Sequence, residues 1–206
     1  MTNEAYAEIA DLEAKIYSDT LKLAELRRAL PADSDAVIPA YTFETSGGTL
    51  TLADMFGDHN KLMVIHNMGQ ACRYCTLWAD GINGFLPHLE SAFSVYLVSK
   101  DSVDTQRRMA NSRGWRFQMA SHGGGDYIQE QSVVPKQNNM PGVVVYQRSG
   151  DQILRMGSAV FGPGDLYCSI WNLLALGGLT EQDWTPQFGY WRRPEVLEDG
   201  GENVVD

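Results

Sequence analysis

The 206-residue sequence contains no apolar run approaching the roughly 20 residues that a membrane-spanning helix needs. It also lacks an excess of basic residues, because 16 lysines and arginines face 26 aspartates and glutamates, a formal net charge of −10. This acidic balance argues against nucleic acids and anionic membrane surfaces as partners. Since Met1–Glu4 shows no basic region followed by an apolar block, we expect no signal peptide and a cytoplasmic location.

Cysteine is scarce as well, because the chain has only 3, at positions 72, 75 and 168. A structural zinc site needs more ligands than one CxxC pair supplies, and the 4 histidines show no HxxxH spacing that would complete one. We therefore expect neither a metal nor an organic cofactor. In a reducing compartment a CxxC pair is more often redox-active than structural, and an inert pair of core cysteines is the alternative.

The most informative motif is Cys72-Arg73-Tyr74-Cys75, which directly follows an apolar run at 62–65. It opens a segment with helical periodicity, so the cysteines are predicted to lie at a helix N-terminus. Unpaired N–H groups and the positive end of the helix dipole stabilise a thiolate there. Since thiolates attack disulfides and peroxides, we predict Cys72 as the nucleophile and Cys75 as the resolving thiol. Arg73 would lower the thiol pKa further, unless it is a solvated surface charge.

The chain divides into three predicted parts: a helix over 1–31, an α/β domain over 40–178, and an aromatic and then acidic tail over 179–206. The helix carries an apolar seam in heptads, interrupted by Asp19, which consists of Ile9, Leu12, Ile16, Leu23, Leu26 and Leu30. Such a seam has to be covered. We expect the helix to pack along its own domain, with a homodimer through the helix as the alternative.

Within the domain, alternating and apolar stretches predict strands, which lie at 41–45, 49–52, 61–67, 93–99, 115–120, 142–147 and 152–157. The irregular segment 121–139, with 3 consecutive glycines, is predicted to be a flexible loop.

Three helices are predicted between these strands and after them. Gly84 and Pro87 should weaken or kink the far end of the CxxC helix. Asp101 is the expected N-cap of a polar helix that ends at Gly114. A last helix over 163–176 is expected to hold Cys168 as a packed core thiol.

The order of strand, CxxC helix, strand, helix, X-Pro, hairpin and helix resembles the thioredoxin fold. Met140-Pro141 stands directly before the apolar strand at 143–146, and in the thioredoxin superfamily this proline is cis and faces the cysteines. The resemblance implies a central mixed sheet flanked by helices, with the N-terminal helix as an extension. It also implies that Pro141 and Met140, together with Arg73 and Tyr74, position the substrate.

A more specific resemblance follows the cysteines, in Trp78-Ala79-Asp80-Gly81, Asn83-Gly84 and Leu86-Pro87-His88-Leu89. With the segment 52–57 and the N-terminal helix, it is similar to a bacterial thioredoxin-like family known as domain-of-unknown-function family 899. The similarity spans most of residues 3–176. It implies a fold and a redox site, but no particular substrate.

The sequence also departs from its better-known relatives. Thioredoxins usually place tryptophan before the first cysteine and a buried aspartate six residues before it, where this chain has Ala71 and His66. His66 is a candidate proton acceptor, because imidazole titrates near neutral pH, and a histidine hydrogen-bonded beside its strand is the alternative. Peroxiredoxins need a PxxxTxxC motif with threonine where Cys72 stands, which argues against a dedicated peroxidase.

These residues favour a thiol–disulfide oxidoreductase that acts on a protein or small-molecule disulfide or thiol, with electrons from another thiol system. One alternative is a thiol peroxidase that uses the same cysteines on a small peroxide. Another is a non-catalytic thioredoxin-like interaction module, in which the CxxC pair is passive.

Overall fold

The computed structural model describes residues 3–29 and 38–189. Its elements are α1 (Asn3–Ala29), β1 (Thr42–Thr45), β2 (Gly48–Thr51), a 3-10 turn (Asp54–Phe56), β3 (Lys61–His66), α2 (Arg73–Glu90), β4 (Ser94–Ser99), α3 (Val103–Arg113), β5 (Gln118–Ser121), α4 (Asp126–Glu130), β6 (Gly142–Ser149), β7 (Gln152–Val160) and α5 (Ile170–Leu176). All the predicted strands are present with shifted ends. Residues 30–37, between the described helix and the domain, and the acidic end of the tail lie outside the described residues. None of the described helices has the length and apolar character needed to cross a bilayer.

A 7-stranded mixed sheet in the order β2-β1-β5-β4-β3-β6-β7 forms the centre of the domain. Strand β3, an interior strand next to the middle one, pairs in parallel with β4 and antiparallel with β6. Helix α2 makes the crossover that parallel neighbours such as β3 and β4 require. With the antiparallel hairpin β6–β7 and the final helix, this is the thioredoxin-like arrangement expected from the sequence.

Successive side chains of β3 point to opposite sides of the sheet, and each side is covered by a hydrophobic core, so β3 is buried on both faces. One side packs under α2 and is called the α2 layer; its core includes Ile65, Trp78, Ile82, Met109 and Trp171. The other side is called the tyrosine layer; its core includes Phe43, Leu62, Val64, Tyr127 and Tyr146. Burial on both faces explains why β3 appears in the sequence as a continuous apolar run.

The ends of α2 and α3 show which local predictions hold. Phe85 has non-helical dihedrals (φ −114°, ψ 16°) two residues before Pro87, so the predicted kink is confirmed. Gly114 ends α3 in the left-handed region (φ 68°), also as predicted. The N-cap of α3 is Ser102 rather than the predicted Asp101, because the Ser102 hydroxyl accepts the N–H of Thr105.

The last helix begins later than predicted, at Ile170 instead of 163. The Asp165 carboxylate accepts the N–H groups of Gly162, Tyr167 and Cys168 at 2.8, 2.8 and 3.1 Å. A side chain that captures nearby N–H groups in this way competes with helix formation. Cys168 therefore precedes the helix, but it packs in the α2 layer as expected, and burial raises its pKa.

Helix α1 is the largest departure from expectation, because none of its residues is buried. The seam residues Ile9, Leu12, Ile16 and Leu26 are 48%, 53%, 59% and 57% exposed. The last turn does reach the domain, where the Arg27 guanidinium donates to the Tyr167 hydroxyl at 2.9 Å. The prediction that the described part of the helix packs along its own domain is therefore wrong.

A chain of hydrogen-bonded side chains runs through the tyrosine layer, in the order Glu130, Tyr41, Gln131, Tyr146, Tyr127 and His66. At its inner end, the Tyr127 hydroxyl lies 2.8 Å from Nε2 of His66. Because buried polar groups are costly unless paired, these contacts hold α4 and its flanks against the sheet. The predicted flexible loop at 121–139 therefore includes a short helix and several buried side chains, among them Tyr127, Ile128 and Val133.

One buried histidine, His66, ends this chain of hydrogen bonds, and a second, His122, lies beside it with its ring 6.4 Å from that of Tyr127. Burial, together with repulsion from His122 and Arg155, lowers the pKa of His66 to about 3. Burial likewise lowers the pKa of His122 to about 4. Both imidazoles are therefore neutral at pH 7 in the folded protein.

These lowered pKa values predict acid-sensitive stability. Between about pH 6 and pH 5 the unfolded chain binds protons at both histidines, whereas the folded chain does not, so the free energy of unfolding should decrease as the pH falls. The two histidines together would contribute a slope of up to about 2.7 kcal/mol per pH unit. Urea denaturation at a series of pH values measures this slope.

A matched pair of variants isolates the buried contribution. H66Q should lose about 1.4 kcal/mol per pH unit of the slope, the value for one proton. H88Q, which changes an exposed histidine, should keep the wild-type slope. Parallel pH profiles for the wild type and H66Q would contradict the assignment.

Candidate functional site

The segment between β3 and α2 brings the cysteines to the edge of the sheet. The backbone N–H of Asn67 donates to the Val98 carbonyl at 2.9 Å, which extends the pairing of β3 and β4 by one residue. The Asn67 side chain then accepts the N–H of Gly69 at 2.8 Å. One residue later, the N–H of Gln70 donates to the Asp101 carboxylate at 2.7 Å. The chain that enters α2 is therefore held by both β4 and the turn that follows β4.

Gly69 and Asp101 fit together tightly. Gly69 has φ of 108°, in the region that favours glycine, and a Cβ there would lie 2.6 to 2.9 Å from the Asp101 carboxyl atoms. Asp101 itself is fixed by its own backbone, because its N–H donates to Ser99 Oγ and its carbonyl accepts from Gln106 Nε2. Sequence reasoning did not include Asp101 among the site residues. The signal available was that parallel β3 and β4 end at the same sheet edge, so the segments after them have to meet.

The first turn of α2 is built around the two cysteines. Cys72 is the N-cap residue, and its Sγ accepts the backbone N–H of Cys75 at 3.1 Å. A disulfide joins Cys72 to Cys75, whose Cα atoms are 5.2 Å apart. Cys75 is buried at 3% exposure, whereas Cys72 is partly exposed. The structure therefore brings the two predicted residues together and leaves Cys72 as the more exposed of the two.

This geometry suits thiol chemistry. An N-cap sulfur that accepts an N–H bond lies at the positive end of the helix dipole, where a negative charge is stabilised. Stabilising the thiolate lowers the thiol pKa and so increases the reactive fraction at neutral pH. The pair at the start of α2 is therefore a redox-capable dithiol.

The two residues between the cysteines extend an aromatic surface beside the dithiol. The Arg73 guanidinium lies 5.9 Å from the centre of the Tyr74 ring. The Tyr74 ring stacks on Trp171 at 6.4 Å and lies 6.2 Å from Trp78. Tyr74 thus joins the aromatic part of the α2 layer at the site's edge.

The Met140–Pro141 peptide bond is trans, since the described chain has no cis peptide bond, and the predicted cis bond is wrong. The intrinsic preference between the two isomers at proline is only about 0.5–1 kcal/mol, so the surrounding loop decides. Here two residues in the left-handed region, Lys136 (φ 65°) and Asn139 (φ 56°), turn the chain before the proline.

The sheet register nevertheless places Pro141 on the same side as the dithiol. Gly142 pairs with His66, and both face the tyrosine layer, so the residue before Gly142 faces the α2 layer. The Pro141 carbonyl accepts the N–H of Phe161 at 3.0 Å, which fixes its position. Met140 instead packs against the tyrosine layer.

His66 is also separated from the dithiol by the sheet. Its ring contacts Tyr127 in the tyrosine layer, on the face opposite α2. Its Nδ1 is buried without a hydrogen-bond partner among the described residues. The structure thus groups Cys72, Cys75 and Pro141 on one side of the sheet, and His66 on the other.

Comparison with solved structures finds several thioredoxin-fold proteins of low identity. A mutant of peroxiredoxin Q from Xanthomonas campestris is 20% identical, with a TM-score of 0.49 over 70% of this chain and 99% of that one. Peroxidoxin BcpB from Mycobacterium tuberculosis is 14% identical, with a TM-score of 0.49 over 61% of this chain and 83% of that one. A candidate protein disulfide isomerase from Bacteroides thetaiotaomicron is 19% identical, with a TM-score of 0.44 over 58% of this chain and 77% of that one.

Likenesses this distant do not identify an activity. A search of curated proteins finds no match. A family model, by contrast, matches residues 3–195, which is nearly the whole chain. The chain belongs to the family of bacterial proteins of unknown function designated DUF899.

Proposed function

We propose that this protein is a thiol–disulfide oxidoreductase, with Cys72 as the attacking thiolate and Cys75 as the resolving thiol. One observation carries the proposal: the partly exposed Cys72 sulfur accepts the Cys75 N–H at the N-terminus of α2 and is bonded to a buried second sulfur. The exposed sulfur is the one a substrate meets first. The buried sulfur lies within reach to displace that substrate.

The reaction balances without a cofactor. The Cys72 thiolate attacks one sulfur of a substrate disulfide, forms a mixed disulfide and releases the first substrate thiolate. The Cys75 thiol loses its proton and attacks the Cys72 sulfur, which forms the intramolecular disulfide and releases the second substrate thiolate. Two electrons have then passed from the protein to the substrate. A dithiol donor, attacking by the same steps, returns the pair to the reduced state.

The remaining site residues have proposed roles in holding the substrate. Pro141 faces the α2 layer, the same side as the dithiol, and its carbonyl is fixed by Phe161. Arg73 and Tyr74 present a cationic and aromatic surface beside Cys72. Met140 contributes through its backbone, because its side chain packs on the other face.

The proton that leaves Cys75 needs an acceptor, and His66 stays a prediction in that role. Its Nδ1, which has no hydrogen-bond partner among the described residues, favours the role. Its burial and its position on the opposite face of the sheet disfavour it, because a buried imidazolium is costly.

Cysteine variants test the proposal. C72S should lower the rate of insulin disulfide reduction by on the order of 1,000-fold, because the nucleophile is gone. C75S should instead accumulate mixed disulfides between Cys72 and the substrate, which intact-mass spectrometry detects. C168S is the matched control, since Cys168 is the buried cysteine outside the pair, and it should keep the wild-type rate.

Other outcomes separate the alternatives. Full, equal activity in C72S and C75S would reject the redox assignment. Rapid peroxide consumption that depends on Cys72, without insulin reduction, would indicate the thiol peroxidase instead. A wild-type dithiol that reacts with neither substrate would favour the interaction module.

Two glycine-to-alanine variants test whether the segment between β3 and α2 supports the site. G69A should destabilise the protein by on the order of 1–3 kcal/mol, because the residue is held at positive φ and its Cβ would collide with Asp101. The displaced loop should also slow disulfide exchange. Urea denaturation and insulin reduction measure the two effects.

G81A is the matched control. A Cβ at position 81 meets nothing within 4 Å, and Gly81 lies inside α2 at ordinary helical dihedrals. There alanine should stabilise the helix by up to about 1 kcal/mol and leave the exchange rate unchanged. Equal stability and equal exchange rates in G69A and the wild type would show that the Gly69–Asp101 contact does not support the site.

A further inference from the structure

Helix α1 presents an uncovered apolar stripe along its length. The 27-residue helix has no buried residue, although apolar side chains line one side of it at Ile9, Leu12, Ile16, Leu23 and Leu26, at spacings of three or four positions that only Asp19 interrupts. A long helix in water owes most of its stability to packing of its apolar face. An apolar stripe of this length marks an interaction surface.

We infer that α1 pairs with α1 of a second copy of this chain, antiparallel, about a twofold axis between Tyr17 and Ser18. That axis places Ile9 opposite Leu26 of the second copy, and Leu12 opposite Leu23. Layers of this kind, with heptad positions a and d facing each other, are the core of an antiparallel coiled coil. Every apolar residue of the described stripe except Ile16 then meets another apolar residue.

Asp19, which interrupts the stripe, decides the direction. In the antiparallel arrangement it lies opposite Ile16 at the centre of the pair, and its carboxylate already has an ion pair with Lys15 on the same helix. A parallel arrangement would bring the two Asp19 carboxylates together within the seam. Two like charges in an apolar seam are unfavourable, so the parallel arrangement is penalised.

The charges on α1 favour the same direction. Its first half, residues 3–14, carries only acidic charges, at Glu4, Glu8, Asp11 and Glu13. Its second half has a basic excess, with Lys15, Lys22, Arg27 and Arg28 against Asp19 and Glu25. Antiparallel pairing lays each acidic half along a basic half, whereas parallel pairing lays acidic along acidic.

The contact between Arg27 and Tyr167 determines where the two domains lie relative to the paired helices. It ties the last turn of α1 to the domain, so the two domains lie at opposite ends of the pair. A helix of 27 residues is about 40 Å long. The first turns of each α1 therefore reach the other copy's domain, with Glu8 at the level of Arg27 of the second copy.

Sedimentation of the full chain tests the pairing. The wild type should be a dimer at micromolar concentration. L12E should raise the dimer Kd by about 100-fold or more, because each dimer loses two buried leucines and gains two carboxylates in the seam. L21E is the matched control: Leu21 lies on the far side of the helix with 50% exposure, close to the 53% of Leu12, and it should remain dimeric. A monomeric wild type, or equal behaviour of L12E and L21E, would overturn the inference.

Cross-linking tests the direction, in a background where Cys72 and Cys75 are serine. Chains carrying I9C and chains carrying L26C are mixed and oxidised, and each is also oxidised alone. The antiparallel pair should cross-link only in the mixture, between positions 9 and 26. Cross-linking of I9C chains alone would show a parallel pair, and a dimer without cross-links in any sample would place the interface elsewhere; either result overturns the proposed arrangement.

Discussion

The pairing of β3 on both of its edges is the constraint on which the rest of the structure depends. Its last residue, His66, is opposite Val98 of β4 and Gly142 of β6 at the same time. Because both neighbouring strands fix where β3 ends, they also fix the position at which the chain leaves the sheet on its way to Cys72. The same register brings Asp101 to one side of that chain and Pro141 to the other. The dithiol is therefore positioned mainly by backbone pairing, and side chains adjust it.

The parts of the fold and site that could be predicted are those encoded by neighbouring residues. A continuous apolar run indicated the doubly buried β3, and the cysteine spacing indicated the first turn of α2. The α2 kink near Pro87 and the left-handed end of α3 at Gly114 follow from the backbone chemistry of single residues. Each of these predictions needs only a few consecutive positions.

The features that could not be predicted depend on contacts between distant residues. Asp101 meets Gln70 across 31 positions, so its role in the site is invisible to local patterns. The isomer of the Met140–Pro141 bond depends on how the preceding loop arrives, not on the dipeptide itself. Amphipathic periodicity indicated that the apolar face of α1 packs against another surface. Periodicity does not indicate which surface that is. The last helix begins later than its sequence pattern indicated, because the Asp165 carboxylate accepts N–H groups of the preceding segment.

Gly142 allows the segment before β6 to pack closely on the sheet, because it has no Cβ. A Cβ at this position would collide with the Ala159 carbonyl and lie 2.8 Å from both Cγ atoms of Val133. Val133 therefore rests directly on the backbone of β6, where it closes the tyrosine layer beside His66. Any side chain at position 142 would push β7 away from β6 at Ala159 and would displace Val133 from the backbone of β6. Substitution of this one residue would thus loosen the packing that covers the buried His66.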